Sequence, residues 1–373
     1  MERRKFLLQL GVGLSAGLSA AACGALARAV ATGESLRVAG GWLLQGGEHQ
    51  VGVLRVDWAQ GRVAIEAAHT VPSLPHAIVP EPGGGFLAVA TRPGTWLARV
   101  DGEGQLAQVL STEADGRQRT HDGHVIASAD GQWLYTGETE RATGAGWVSV
   151  RDARDLRIAA QQRTHGIDPH QILVDEDGLL LVANGGIPRT ASGKKRDLDA
   201  MDPVLVHLDP RNGDKLGEWR LPDARLSPHH IAWNEPLAGG SRLLGIGLQA
   251  EHDDPGQRRE APLLAVWDGQ SLQIPTRQPA EGYAGDVAAG PNGGFVLTAQ
   301  KANRILLWQP HKPAEFLAVG EVQNPCGLWP LADGLGVAIG GGLGLARWHA
   351  AEPGRMLRWP AGLSAGNHWA VLG

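Results

Sequence analysis

The chain has 373 residues, with 34 Lys+Arg against 39 Asp+Glu and a formal net charge of −5, which excludes a strongly basic nucleic-acid binder. Hydrophobic residues make up 43% and charged residues 20%, and the 53 glycines are about twice the ordinary share of roughly 7% without a three-residue period. Disordered and collagen-like chains are thereby excluded, and turns are expected in number.

Residues 1–30 predict an export signal of the twin-arginine type: Arg3 and Arg4 stand just before the apolar, Gly/Ala-rich run from Leu7 to Ala22. That run is broken by Gly and Ser and falls short of the ~20 strongly apolar residues of a membrane span, so no span is expected in the mature form. Removing residues 1–27 takes away Glu2, Arg3, Arg4 and Lys5, a net +2, and moves the charge from −5 to −7. Cys326 is then the single cysteine, which excludes an intramolecular disulfide. The expected location is the periplasm, reached by the folded protein.

Residues 31–373 read as one domain built from a repeat. A short apolar run is followed by a Gly-containing turn and further strand-length runs, as in His124 to Asp130-Gly131, Gln132 to Glu138, Gly146 to Asp152 and Leu156 to Ala160. Equivalent starts fall at His76, His124, His170, Asp286 and Gly327, each seven residues before Gly83, Gly131, Gly178, Gly293 or Gly334. His230 opens a further copy and His368 a truncated one, at successive intervals of 48, 46, 60, 56, 41 and 41 residues. The N-terminal part has three strands (Leu36 to Leu44, Gln50 to Trp58, Arg62 to Ala68) and no inner one, whereas the C-terminus has one strand alone. Joining them predicts an all-β fold, a seven-bladed β-propeller whose terminal strands close one blade and leave no exposed sheet edge there. Six and eight blades are the competing counts.

In a propeller the first residues of the inner strands converge on one mouth of the central channel. His76, His124, His170, His230 and Asp286 are therefore candidate metal ligands, with Gly327 and His368 at the remaining starts. Neutral imidazoles and a carboxylate suit a borderline divalent metal such as iron, copper or zinc. Glu138, Asn184 and Gln300 follow three starts by 14 residues at the ends of second strands, and Arg92 and Gln249 complete this outer ring of groups for holding a cofactor or orienting ligands. The same groups suit a small polar ligand, and a channel lined by solvated polar residues is the plainest alternative. Insertions at Ile187 to Val204 and Ala250 to Pro262 are expected to overhang the mouth, with His121, His165 and His229 on the rim.

The segments His165-Gly-Ile-Asp-Pro-His170, Ala183-Asn-Gly-Gly-Ile187, Leu198-Asp-Ala-Met201-Asp-Pro203 and Ser227-Pro-His-His-Ile231 resemble the bacterial family called domain of unknown function 1513. The resemblance covers nearly the whole mature chain. It implies an exported, propeller-like protein found beside periplasmic iron-acquisition proteins such as imelysin-like peptidases and dihaem peroxidase-like proteins. His124, His170 and His230 match the family pattern; Asp168 stands for a Gly, Gln171 for a Glu and His229 for an Arg. The leading expectation is a metal-binding or metal-complex-binding accessory to metal uptake, with iron or copper foremost and uptake proteins as partners. A propeller enzyme, either a lactonase-like hydrolase or a metal-dependent oxidoreductase using Glu138 or Asp286, is the second. A protein-interaction scaffold is the third.

Overall fold

The computed structural model describes residues 35–113, 116–276 and 280–372, so the expected export segment over residues 1–30 lies outside the described residues. The described residues form seven four-stranded antiparallel sheets, and six of them run in sequence order. The seventh pairs the C-terminal strand Leu363–Leu372 with Ser35–Leu44, His49–Asp57 and Arg62–Thr70. The fold is a seven-bladed β-propeller closed by its two chain ends; in that blade the three N-terminal strands fall within two residues of their expected bounds, whereas the C-terminal strand begins at Leu363, five residues before the expected start at His368.

Closure rests on local packing as well as on the ladder. Val38 faces Val371 and Gly40 faces Trp369 across the closing pair. Trp369 stacks on Trp359 at 4.6 Å and lies parallel to Trp42 at 6.4 Å. A side chain at Gly40 would overlap the Trp369 ring, so glycine here is what lets the indole lie flat on the strand.

Second and third strands are buried on both faces, because each blade is covered by its neighbours; Phe86–Ala90 and Leu180–Asn184 are buried throughout. That is why these segments read as continuous apolar runs, whereas the outer strand Leu106–Ser111 alternates half-buried and exposed positions. The core divides into seven clusters between adjacent blades, for example Ala77, Leu87 and Val89 against Val125 and Leu134. The five repeated turn glycines, 83, 131, 178, 293 and 334, all take positive φ, between 69° and 87°, as tight turns between inner and second strands require.

Candidate metal centre

The inner strands share a local irregularity that aims side chains into the channel. Pro75 pairs with Ala90 and Ala77 with Val89, so His76 is an extra, bulged residue. Shifts of register recur between His121 and Val125, Pro169 and Ile172, Pro228 and His230, and Ala284 and Val287. In the closing blade, Gly366 to His368 sit opposite Gly41 alone. Six inner strands thus carry a bulge where the chain enters the channel mouth, and bulges are a standard means of redirecting a side chain. Gly123, in the His124 bulge, has φ +102°, and a Cβ there would approach the His76 ring to 2.5 Å.

Five imidazoles meet as a result. Successive ring centroids lie 4.8 Å apart from His76 to His124, 4.8 Å from His124 to His170, 4.7 Å from His170 to His230, 4.8 Å from His230 to His368, and 4.7 Å from His368 back to His76. The Nε2 atoms of His170 and His230 are 3.3 Å apart. One ligand atom from each of His76, His124, His170 and His230 falls in a group with no separation above 4.8 Å. Asp286 faces His230 Nδ1 at 3.8 Å and His368 Nδ1 at 3.5 Å, while its two oxygens accept the backbone N–H groups of Val287 and Leu328. It lies beside two rings and is itself fixed by the backbone.

Burial holds His76, His124, His170, His229 and His230 well below the usual histidine pKa, aided by neighbouring rings and by the Arg92 guanidinium. The rings are therefore neutral, with lone pairs available at neutral pH. Both nitrogens of His76, and Nε2 of His124, Nδ1 of His170, Nδ1 of His230 and Nε2 of His368, are buried without a hydrogen-bond partner among the protein's groups. Such concentration is unusual, since most buried polar groups are hydrogen-bonded.

A cavity of about 240 Å³ adjoins this cluster, with His76, His170, His229 and His230 among its lining residues. Arg92, Gln249 and Gln300 line it, as does Tyr283. Arg92 donates to Asp168 at 2.8 Å, and Arg189 donates to the same carboxylate at 2.6 Å. Asp168 has φ +54°, a conformation that suits the Gly expected there, and in this chain its carboxylate organises two guanidiniums. The insertion from Ile187 to Val204 brings Arg189 and Lys195 to the cavity, and that from Ala250 to Pro262 brings Glu251 against Lys195 and carries a short helix, Pro255–Glu260. Asp122, behind Arg92, is pushed up to about 8 by burial and by Asp168.

The expected residues do not all arrive at one place. His76, His124, His170, His230 and Asp286 come together, and Arg92, Gln249 and Gln300 reach the cavity beside them. Glu138 is wholly buried elsewhere, accepting from Arg151 at 2.8 Å and Arg117 at 2.9 Å. Burial pushes its carboxyl up, but His121, Arg151 and Arg117 outweigh that and hold it below its ordinary value. Asn184 donates to the Thr164 carbonyl and does not line the cavity. Of the three rim histidines, His229 is buried beside Arg92, His121 is buried beside Glu138, and His165 bonds the Gly213 carbonyl at the surface. Cys326 lines the cavity, but burial, reinforced by Asp286, raises its thiol far above the usual range, so it stays protonated.

Among the described residues, no helix is long and apolar enough to cross a membrane. Solved structures similar to the chain include hydrazine synthase of Kuenenia stuttgartiensis (TM-score 0.57, 12% identity, 86% of this chain and 94% of that one). A putative 6-phosphogluconolactonase of Bacteroides fragilis is similar at TM-score 0.57 and 12% identity, over 91% and 98% of the two chains. A catalytically inactive virginiamycin B lyase of Staphylococcus aureus with quinupristin is similar at TM-score 0.50 and 11% identity, over 86% and 96%. At these identities the likeness is one of fold. No curated protein matches the chain. The profile described as "Protein of unknown function (DUF1513)" matches residues 69–372, and the chain belongs to that family.

Proposed function

We propose that the protein binds one divalent transition-metal ion through His76, His124, His170 and His230, with Asp286 orienting His230 and His368. The observation that carries this is the buried cluster of neutral imidazoles in which both nitrogens of His76, Nε2 of His124, Nδ1 of His170 and Nδ1 of His230 lack protein partners. Tetrahedral coordination with metal–nitrogen bonds of about 2.0–2.1 Å requires nitrogens about 3.3–3.4 Å apart, and His170 and His230 already stand at 3.3 Å. Imidazole donors with a nearby carboxylate and no thiolate suit iron, copper or zinc. Iron or copper fits the expected role, that of a periplasmic accessory to metal uptake in contact with other uptake proteins.

The adjoining cavity favours a second reading, a metal-dependent enzyme in which water or substrate enters on that side. Glu138 cannot be its acid or base in this arrangement, because two guanidiniums hold it away from the cavity. Asp286, beside His230 and His368, is the carboxylate that remains to the enzyme reading, and binding without turnover stays the leading one.

The test is elemental analysis of protein purified from cells supplied with iron, copper and zinc. The wild type is expected to retain close to one metal atom per chain, and His124→Ala/His170→Ala to retain almost none. A wild type with no retained metal would count against the proposal, and turnover of lactones or reductants by the loaded protein would shift it to the enzyme.

A further inference from the structure

The cavity beside the histidines has a chemistry of its own. Three cationic side chains, Arg92, Arg189 and Lys195, line it, and no carboxylate is among its lining residues. Their counter-ions sit behind them: Asp168 takes both guanidiniums and is 3% exposed, and Glu251 takes the Lys195 ammonium and is 8% exposed. The cations come from separate places, Arg92 from the blade of His76, and Arg189 and Lys195 from the insertion between Leu180–Asn184 and Val204–Leu208. His229, 1% exposed, also lines the cavity, and its Nε2 has no hydrogen-bond partner among the protein's groups.

We infer that this cavity binds a small anion of the dicarboxylate class. A guanidinium presents paired N–H donors that match a carboxylate's two oxygens, and a lysine adds a compact charge. The volume of about 240 Å³ divided by about 30 Å³ per water-sized group gives room for roughly eight non-hydrogen atoms, the size of a short dicarboxylate. One carboxylate meets the Arg92, Arg189 and Lys195 wall, and the other end lies toward His170 and His230. With a metal there, a carboxylate oxygen is a competent further ligand. That second contact rests on the metal reading; the cationic wall does not.

Malonate titrated calorimetrically into metal-free protein, and into protein carrying one equivalent of zinc, tests the inference with metal content measured in parallel. Saturable binding is expected to metal-free protein, at least tenfold weaker in Arg189→Gln and in Lys195→Met, and at least tenfold tighter with zinc. Two substitutions are used, one at half-buried Arg189 and one at exposed Lys195, so that a folding defect in one does not decide the result. Malonate binding that depends on Arg189 and Lys195 in a protein that takes up no metal supports the carboxylate pocket and counts against the metal reading alone. No saturable binding to either form, affinity unchanged in both variants, or equal affinity for phosphate overturns the carboxylate pocket whatever the metal content.

Discussion

Replacing His76 with leucine separates a metal site from a structural polar layer, because the two accounts predict opposite signs. Both nitrogens of His76 are buried without a protein partner. Relieving two such groups is worth at least about 2 kcal/mol, at about 1 kcal/mol each, and leucine has a similar volume. The propeller spans Ser35–Leu372, so an unfolding entropy of about 2.1 cal/mol/K per residue gives about 0.7 kcal/mol/K, or roughly 1.4 °C per kcal/mol. His76→Leu should accordingly melt about 3 °C above wild type in chelator. Metal at a hundred times its Kd should stabilise the wild type by about 2.7 kcal/mol, or about 4 °C. A variant binding tenfold more weakly gains about 1.4 kcal/mol at the same free metal, or about 2 °C. Calorimetric melting in chelator and in metal reads both shifts. A variant that melts below wild type in chelator, together with a wild type indifferent to metal, would refute the reasoning: the imidazole would then be a satisfied structural group.

Other substitutions test the surroundings of the site. Glu138→Gln withdraws the negative charge between Arg117 and Arg151 in a fully buried setting, and should cost about 3 kcal/mol of stability without changing metal stoichiometry, as read by denaturant unfolding and elemental analysis. Gly40→Ala drives a methyl group into the Trp369 ring and should destabilise the closing blade by about 1–3 kcal/mol, with a fall in tryptophan ellipticity. Gly123→Ala combines a left-handed φ with a contact on His76, and should weaken metal affinity at least tenfold by titration although no ligand is removed.

Much of the architecture was legible because one unit is repeated. The turn glycines at 83, 131, 178, 293 and 334 mark the register of five blades, and the complementary strand counts at the chain ends foretold the closing pair of Ser35–Leu44 with Leu363–Leu372. Convergence of His76, His124, His170, His230 and Asp286 followed from their equivalent places in the repeat, although the structure puts them at bulges within the inner strands, His124 as the sixth residue of Arg119–Ala127, and not at the strands' first residues. The outer ring was less legible for a geometric reason. A spacing of 14 residues says at which end of a strand a side chain lies, but successive residues point to opposite faces, and a bulge changes the count. Gln300 therefore reaches the cavity, while Glu138 and Asn184, at the same spacing, turn to Arg151 and the Thr164 carbonyl.

Arg189, Lys195 and His229 line the cavity; the overhang of the insertion and the rim position of His229 were expected, but the contacts of these side chains depend on tertiary placement that no local pattern encodes. Two hints were nonetheless present. Asp168 and His229 are both departures from the family pattern, and the structure brings each of them against Arg92. For the loop around Lys194 and Lys195 solvated charge is the more ordinary reading of the sequence, and its fold-back onto Glu251 puts Lys195 at the cavity.

X-ray absorption on protein loaded with one equivalent of zinc or copper tests the metal site most directly. The account predicts a first shell of about four imidazole nitrogens near 2.0–2.1 Å, with the ring scattering that histidine produces. A shell of water oxygens alone, unchanged when His170 and His230 are replaced, would contradict it.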